Sequence, residues 1–487
     1  MTETHLGLAA LGERVARDLE CLSYPDKAWV TPAKAPDGSD ALDCAVIGGG
    51  QFGIAIAFGL RREKVGNVTV FDSNREGFEG PWMTFARMNM LRTPKDLTGV
   101  DLGIGSLTFR AWYEAQHGRE GWDKLNRIPP SQWMAYLRWY RATLGIDMRN
   151  ETALQNIEPV AGGLFRLTFN EKGTEQVRHA RTVVLSTGAE GSGARYVPPF
   201  IADSLPAHLY AHTNDAIDPA LLKGKRVGIL GAGASAFDYA AASLEAGAAE
   251  ARLFFRRKSL PLQNPRRWME FSGFLAHYPE LPDAQRWAYM HRLFDLSQPP
   301  PVPTFQRATA LPGFAMHPGT AWQRVFSPDG KTVVVETTSG QRFTFDYVMA
   351  ATGMVVDLSL RPELKGISPY IALWSDRYTP PADLQDTRLD KFPYLGRYCD
   401  FQEKVPGQAP WLSRIFTITR GSTMSMGPSS ASNSNLKYTA PRIISGVVRQ
   451  LFLDGADAFY KVFAETEHNE LQSAQVSAQV QSVRAAR

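Results

Sequence analysis

Apolar and polar positions alternate along this chain in blocks, and two of the blocks repeat one another. Residues 43–47 form a short apolar run that stops at a cluster of glycines. A stretch of helical length and period follows over 54–63, then a second apolar run, Val68–Phe71, which ends on Asp72. Residues 226–230 run into glycines again, and a second helical stretch leads to 252–255, which ends on Arg256, Arg257 and Lys258. Short continuous apolar runs mark strands buried on both faces, and strands alternating with helices predict parallel sheets.

The remaining pattern organises the chain around these two units. A helical period near residues 11–22 and a stretch containing Pro25, Pro32 and Pro36 predict an N-terminal arm over 1–40. Strands are expected at 164–169 and 182–185, leading into Ser186, Thr187 and Gly188. A similar phrase occurs where 343–347 continues through Val348, Met349, Ala350 and Ala351 into Thr352 and Gly353. Residues 264–325 are rich in aromatics and prolines and read as a mostly helical elaboration facing a cleft. The Gln-, Ser-, Ala- and Val-rich tail over 469–487 is expected to be flexible.

The glycine clusters carry the chemistry. In the first, Gly48, Gly50 and Gly53 enclose Gln51 and Phe52 in a G-x-G-x-x-G spacing. The first glycine lets the chain leave the strand sharply, the second leaves room for a pyrophosphate, and the third lets the helix pack close. In the second, Gly231, Gly233 and Ala236 enclose Ala234 and Ser235 in the G-x-G-x-x-A form. Asp72 and Arg256 stand at equivalent places, each at the separation of about twenty residues expected for the ribose contact. A carboxylate suits a free ribose hydroxyl, whereas a guanidinium fork suits a phosphate. The first site therefore reads as FAD and the second, with Arg256 and Arg257, as NADPH. Arg266 and Arg267 lie close behind and could share that role.

The second unit lies between the two Thr-Gly phrases, which predicts an α/β chain of two Rossmann-like dinucleotide-binding domains, the NADPH domain inserted into the FAD domain. The expected boundaries are 41–200 for the first part of the FAD domain, 201–345 for the NADPH domain and 346–468 for the second FAD part.

Composition narrows the class. With 487 residues, 44% of them hydrophobic, the chain can bury several cores. The net charge of +4 is spread over 53 basic and 49 acidic residues without a stripe, which argues against nucleic acid. Cys21, Cys44 and Cys399 form neither a disulfide framework nor a C-x-x-C pair, which excludes dithiol disulfide reductases. The first twenty residues lack the apolar core of a signal peptide, and no apolar run has membrane-spanning length. A cytoplasmic location is expected, with a small-molecule substrate and O2 as partners and no nucleic acid or membrane. A homo-oligomer is compatible with the sequence.

The two glycine units in this order, the phrase Gly80-Pro81-Trp82, the segment MNMLRTPKDLTG and the turn Ala351-Thr352-Gly353 together resemble the class B flavin-dependent monooxygenases, over most of 40–460. The resemblance implies that Trp82 lies by the isoalloxazine, that Leu91, Arg92, Thr93, Pro94 and Lys95 run along the flavin edge, and that Ser425, Met426, Gly427, Pro428 and Ser429 form the last flavin-binding turn before a helix at 440–453. It also implies that NADPH reduces FAD and that oxygen adds to give a C4a-hydroperoxyflavin, which oxygenates a small, nitrogen-containing substrate. Lys95 and His212 are the candidates for tuning that peroxide or orienting substrate. No metal is expected, although His208 and His212 share helical spacing. Of the Baeyer-Villiger signature only His212 is present, in LPAHLYAHTNDAID. An S-oxygenating enzyme, a urate-type hydroxylase, an NADPH oxidase or reductase without oxygen insertion, and a non-catalytic two-nucleotide module are the competing readings.

Overall fold

The computed structural model describes residues 7–22, 27–96, 99–466, 471 and 473–485. Pro25 of the arm, Leu97 and Thr98 of the MNMLRTPKDLTG segment, and Asn469 at the head of the tail lie outside the described residues.

The first glycine unit organises a seven-stranded sheet. Met148–Arg149, Val68–Phe71, Leu42–Ile47 and the long strand Thr174–Gly188 run parallel in that order, and Ile415–Thr419 adds a further parallel strand on Thr174–Gly188. The near half of Thr174–Gly188 also pairs antiparallel with Leu164–Glu171, which continues to Thr152–Val160. Every residue of Val68–Phe71 is buried, as is nearly all of Leu42–Ile47, because helices cover both faces. Two of those helices, Gln51–Arg62 and Asn433–Asp454, approach so closely that a Cβ on Gly59 would stand 2.1 Å from Ile444. The second helix starts seven residues before the expected 440, at Asn433.

The second unit builds its own five-stranded parallel sheet, ordered Phe314–Pro318, Glu250–Phe255, Arg226–Leu230, Tyr347–Ala350 and Tyr210–His212. Tyr347–Ala350 is therefore a central strand here, and the boundary expected at 345/346 moves past the Thr352-Gly353 turn. The apolar phrase 343–351 holds two strands with different partners, split at Asp346. Arg342–Phe345 closes an antiparallel meander with Trp322–Phe326 and Val333–Thr337, while Tyr347–Ala350 enters the parallel sheet.

The two connections between the domains pair with each other. Gly193–Arg195, leaving the first domain, runs antiparallel to Met354–Val356, returning to it. A Cβ on Gly193 would lie 2.0 Å from the Val355 carbonyl, so only glycine permits this approach.

The 264–325 segment departs from its expected place. Four helices between Pro265 and Thr309 are present, but Phe314–Pro318 is an edge strand and Trp322–Phe326 begins the meander. Met269, Phe274, Tyr278, Trp287 and Met290 share one core with Val356, Trp374, Leu389, Phe392 and Met424. The insertion thus packs against the returning part of the flavin domain. At the chain ends, Gly7–Cys21 is the expected helix, with Leu11 and Val15 in the main core, and Ser473–Ala485 is helical where a flexible tail is expected.

Candidate active site

Both glycine turns are shaped for a ligand that lies against bare backbone. Gly48 has φ +102°, and a Cβ there would stand 2.4 Å from the Ser186 carbonyl oxygen; on Gly53 it would stand 1.9 Å from the Gly48 carbonyl oxygen. Gly231 has φ +134°, and a Cβ there would meet the Ala351 carbonyl at 2.3 Å. The middle glycines differ from these: a Cβ on Gly50 or Gly233 would meet nothing within 4 Å. They face open space where a pyrophosphate can lie. The helices Gln51–Arg62 and Ala234–Glu245 begin at these turns with no side-chain cap, so their first amides are left for an anion. Residues of both sites thus fit dinucleotides.

The groups at the ends of the second strands are held differently. Asp72 is 6% exposed, accepting from the Gly49 amide at 2.7 Å and from the Asn74 amide at 2.8 Å. Burial pushes its carboxyl above the usual range, against the pull of those hydrogen bonds. Beside it, Gly49, Glu79, Met134, Arg138, Arg141 and Met148 help line a cavity of about 200 Å³. Arg256 is exposed and makes no hydrogen bond or ion pair with the described residues. Arg257 is also exposed but donates to the Asp295 carbonyl at 3.0 Å and to the Ser297 hydroxyl at 2.8 Å.

The Thr-Gly turns back the two sites. The Ser186 hydroxyl donates to the Gly48 carbonyl at 2.8 Å, and Thr187 Oγ1 is buried without a partner among the described residues. Thr352 donates to the Tyr196 carbonyl, and Gly353, at φ +78°, accepts from the Tyr196 amide at 3.0 Å. Trp82 stands edge-on to Trp133, whose indole donates to Gln51 at 3.2 Å, so the Gly80-Pro81-Trp82 phrase packs behind the first turn. Phe52 is buried in the main core.

Several expected site residues are engaged elsewhere. Arg92, expected along the flavin edge, reaches Asp238 on the helix Ala234–Glu245 at 2.8 Å and so links the domains; Thr93 beside it is half-buried. Arg307, held within its own unit by Glu245 at 2.6 Å, strengthens that link by donating to the Arg87 carbonyl at 2.8 Å. Lys95 donates to the Trp122 carbonyl at 2.6 Å and lies 4.5 Å from the centre of the Trp122 ring, pinning its loop to the helix Phe109–Lys124. His212 is 1% exposed with both ring nitrogens in use: Nε2 faces the Gly353 carbonyl at 2.8 Å and Nδ1 accepts from the Asn214 amide at 3.0 Å. Burial holds it below the usual histidine pKa, and the two contacts pin the ring at the crossover. His208 instead contacts the Gly330 carbonyl, and among the described residues no cluster of His, Cys, Asp and Glu could hold a metal ion.

Sequence reasoning missed the residues at the junction of the domains. Arg266 is expected from the sequence to share the phosphate role of Arg256 and Arg257. It reaches instead into the last turn of the flavin domain, where Nη1 donates to the Pro428 carbonyl at 2.6 Å. That turn is held by Gly427 at φ +108°, and by Ser425, which accepts from the Trp374 indole and the Leu395 amide. Arg420, at the carboxyl end of Ile415–Thr419, belongs to no motif.

Comparison with known proteins agrees with this geometry. A family profile for FAD-NAD(P)-binding domains matches residues 45–190. The FAD-dependent urate hydroxylase of Xanthomonas campestris is 45% identical over 459 residues, which cover 94% of this chain and 96% of that protein. Among solved structures, the ornithine hydroxylase of Pseudomonas aeruginosa superposes with a TM-score of 0.66 at 16% identity, covering 84% of this chain and 100% of that one. The L-lysine 6-monooxygenase of Pseudomonas syringae superposes at 0.62 with 17% identity, covering 84% of this chain and 99% of that one. The chain belongs to the family of the Xanthomonas enzyme, a family of FAD-dependent hydroxylases.

Proposed function

We propose that this enzyme uses NADPH and O2, through FAD, to hydroxylate a small nitrogen heterocycle, with a purine of the urate kind as the first candidate. Identity of 45% along 94% of the chain to a urate hydroxylase is the observation that carries the choice of heterocycle over an aliphatic amine. The electron balance is that of a monooxygenase: NADPH supplies two electrons, one oxygen atom enters the substrate, and the other leaves as water.

Gly48, Gly50, Gly53 and the amides of the following helix would hold the FAD pyrophosphate, with Asp72 on its ribose. Gly231, Gly233 and Arg256 would hold NADPH, and Arg257 is a weaker contributor because part of its fork is already engaged. FAD, when bound, supplies the redox chemistry by accepting hydride and activating oxygen. The chain would orient the two nucleotides toward one junction. It also limits water there: the core shared by Tyr278, Trp287, Trp374 and Phe392 packs the inserted helices against the flavin domain. The three cysteines form no disulfide, which favours the reducing cytoplasm, and no helix among the described residues is long and apolar enough to cross a membrane.

Purified yellow protein tests this directly. NADPH consumption that rises with urate, with peroxide release falling as hydroxylated product appears, supports the reading. Peroxide release indifferent to urate and to related purines identifies an oxidase instead.

A further inference from the structure

Two arginines stand close enough to repel each other at the junction of the domains, and neither makes an ion pair with a described residue. Arg266 sits on the short helix Pro265–Trp268 of the NADPH domain and crosses to the flavin domain, donating from Nη1 to the Pro428 carbonyl at 2.6 Å and from Nε to Gln298 at 3.1 Å. Arg420 approaches from the other side. It follows Ile415–Thr419, a strand parallel to Thr174–Gly188, so it stands at the strand ends where doubly wound sheets bind ligands. Its guanidinium makes no hydrogen bond or ion pair with the described residues, although the residue is only partly exposed. None of its nitrogens is sealed in the core, so the group opens onto reachable space.

The electrostatics of the pair are unfavourable as they stand. Burial lowers the Arg420 pKa, and no acid opposes it. Burial, and then the charge of Arg420, bring Arg266 down to about 10, with only the exposed Glu270 pulling the other way. Two like charges in a poorly solvated junction are costly unless a counter-charge joins them. The anionic pyrophosphates are provided for elsewhere, at the two glycine turns. The missing negative charge is therefore expected from the third reactant, which must lie where the two domains face each other.

We propose that Arg266 and Arg420 form the anion clamp of the substrate site, taking a planar organic monoanion, namely a deprotonated oxo-heterocycle of the urate kind. This rests on the monooxygenase reading above and sharpens it from a nitrogen heterocycle to an ionised one. A ring nitrogen that has lost its proton, flanked by a carbonyl, presents two acceptors side by side, and the guanidinium fork matches that spacing. Arg420 supplies the free fork. Arg266, already anchored on Pro428, supplies a second charge at a fixed position. A neutral purine would leave both charges uncompensated, so the clamp selects by ionisation as well as by shape.

The test compares anionic and neutral ligands in Arg420→Ala, Arg420→Lys and Arg266→Gln. The probes are urate, oxonate and hypoxanthine at neutral pH, read as perturbation of the flavin spectrum, with KM and kcat for urate alongside. Arg420→Ala should weaken urate and oxonate about tenfold to a hundredfold, the loss of a charge-assisted hydrogen bond, with KM rising more than kcat falls. Hypoxanthine binding should change by less than about twofold on the same scale. Lysine should restore part of the loss, since it returns charge without the fork. Equal weakening of hypoxanthine and urate, or purified Arg420→Ala that loses FAD while its urate KM is unchanged, overturns the clamp and assigns the arginine to the cofactor. Should Arg420→Ala not fold, the same comparison in Arg420→Lys and Arg266→Gln decides. The two readings fail separately. Wild-type protein that ignores urate as substrate but binds oxonate through Arg420 sinks the urate reading alone, whereas wild-type protein whose flavin responds to neither anion sinks the clamp.

Discussion

The two nucleotide sites share one architecture and differ in how finished they are. In the first, the carboxylate of Asp72 is buried and already tied to two backbone amides, and the Gly48 carbonyl is bonded from behind by Ser186. In the second, Arg256 stands exposed at the same structural position, with no partner among the described residues. A site whose groups are fixed in advance loses little entropy on binding and suits a cofactor that stays. One closed by a free side chain at the rim suits a molecule that must enter and leave at every turnover.

The comparison can be broken most severely at the third position of the first turn. Gly53→Ala would place a Cβ within 1.9 Å of the Gly48 carbonyl oxygen. We expect that substitution to cost about 3 kcal/mol or more and to yield protein without flavin colour, checked by absorbance of the purified variant. Next comes Arg256→Ala, which should raise the KM for NADPH about tenfold to a hundredfold while moving that for NADH by less than about twofold. Arg257→Ala should have the smaller effect, since part of its fork is already committed, and equal effects in steady-state kinetics would remove the distinction between a free and an engaged arginine. Asp72→Ala should weaken FAD by a factor of about ten to a hundred in a dissociation assay, leaving the Gly49 amide without its acceptor.

Ala236→Gly is milder. The second turn already accommodates a methyl group, so the change should cost only about 1 kcal/mol in urea unfolding. The smallest effect concerns the crossover. His212 is held neutral, with its folded pKa below the ordinary value. Its contribution is therefore complete above the unfolded pKa of about 6.5 and drains away as the pH falls below it, because the unfolded imidazole takes up a proton that the folded one refuses. Wild type should lose more stability between neutral and mildly acid pH than His212→Asn does; parallel losses would mean that other groups set the acid limit.

What could be read from the sequence was whatever local spacing determines. Gly48, Gly50, Gly53 and Asp72 fall within one strand, helix and strand, so their pattern is complete in thirty residues. Arg92 is different: its partner Asp238 lies far along the chain, and nothing near either residue indicates the pairing. The same holds for Tyr347–Ala350, whose apolar run is equally compatible with either sheet until the positions of Arg226–Leu230 and Tyr210–His212 are known. Lys95 and His212 were singled out by residue type. Their engagement with the Trp122 and Gly353 carbonyls follows from packing alone. Arg420 gives no signal, because an arginine after a strand is ordinary and its lack of a partner among the described residues exists only in three dimensions.

The ribbon formed by Gly193–Arg195 and Met354–Val356 makes the NADPH half topologically a cassette, whose two ends emerge side by side from its host. Closing the host across the gap asks for a tight turn, but removing the unit also uncovers the core that Phe274, Tyr278 and Trp287 share with Trp374 and Phe392. An exchanged unit would bring its own counterpart of Arg266 and of the helices that share the host's core, so coenzyme preference and host chemistry travel together.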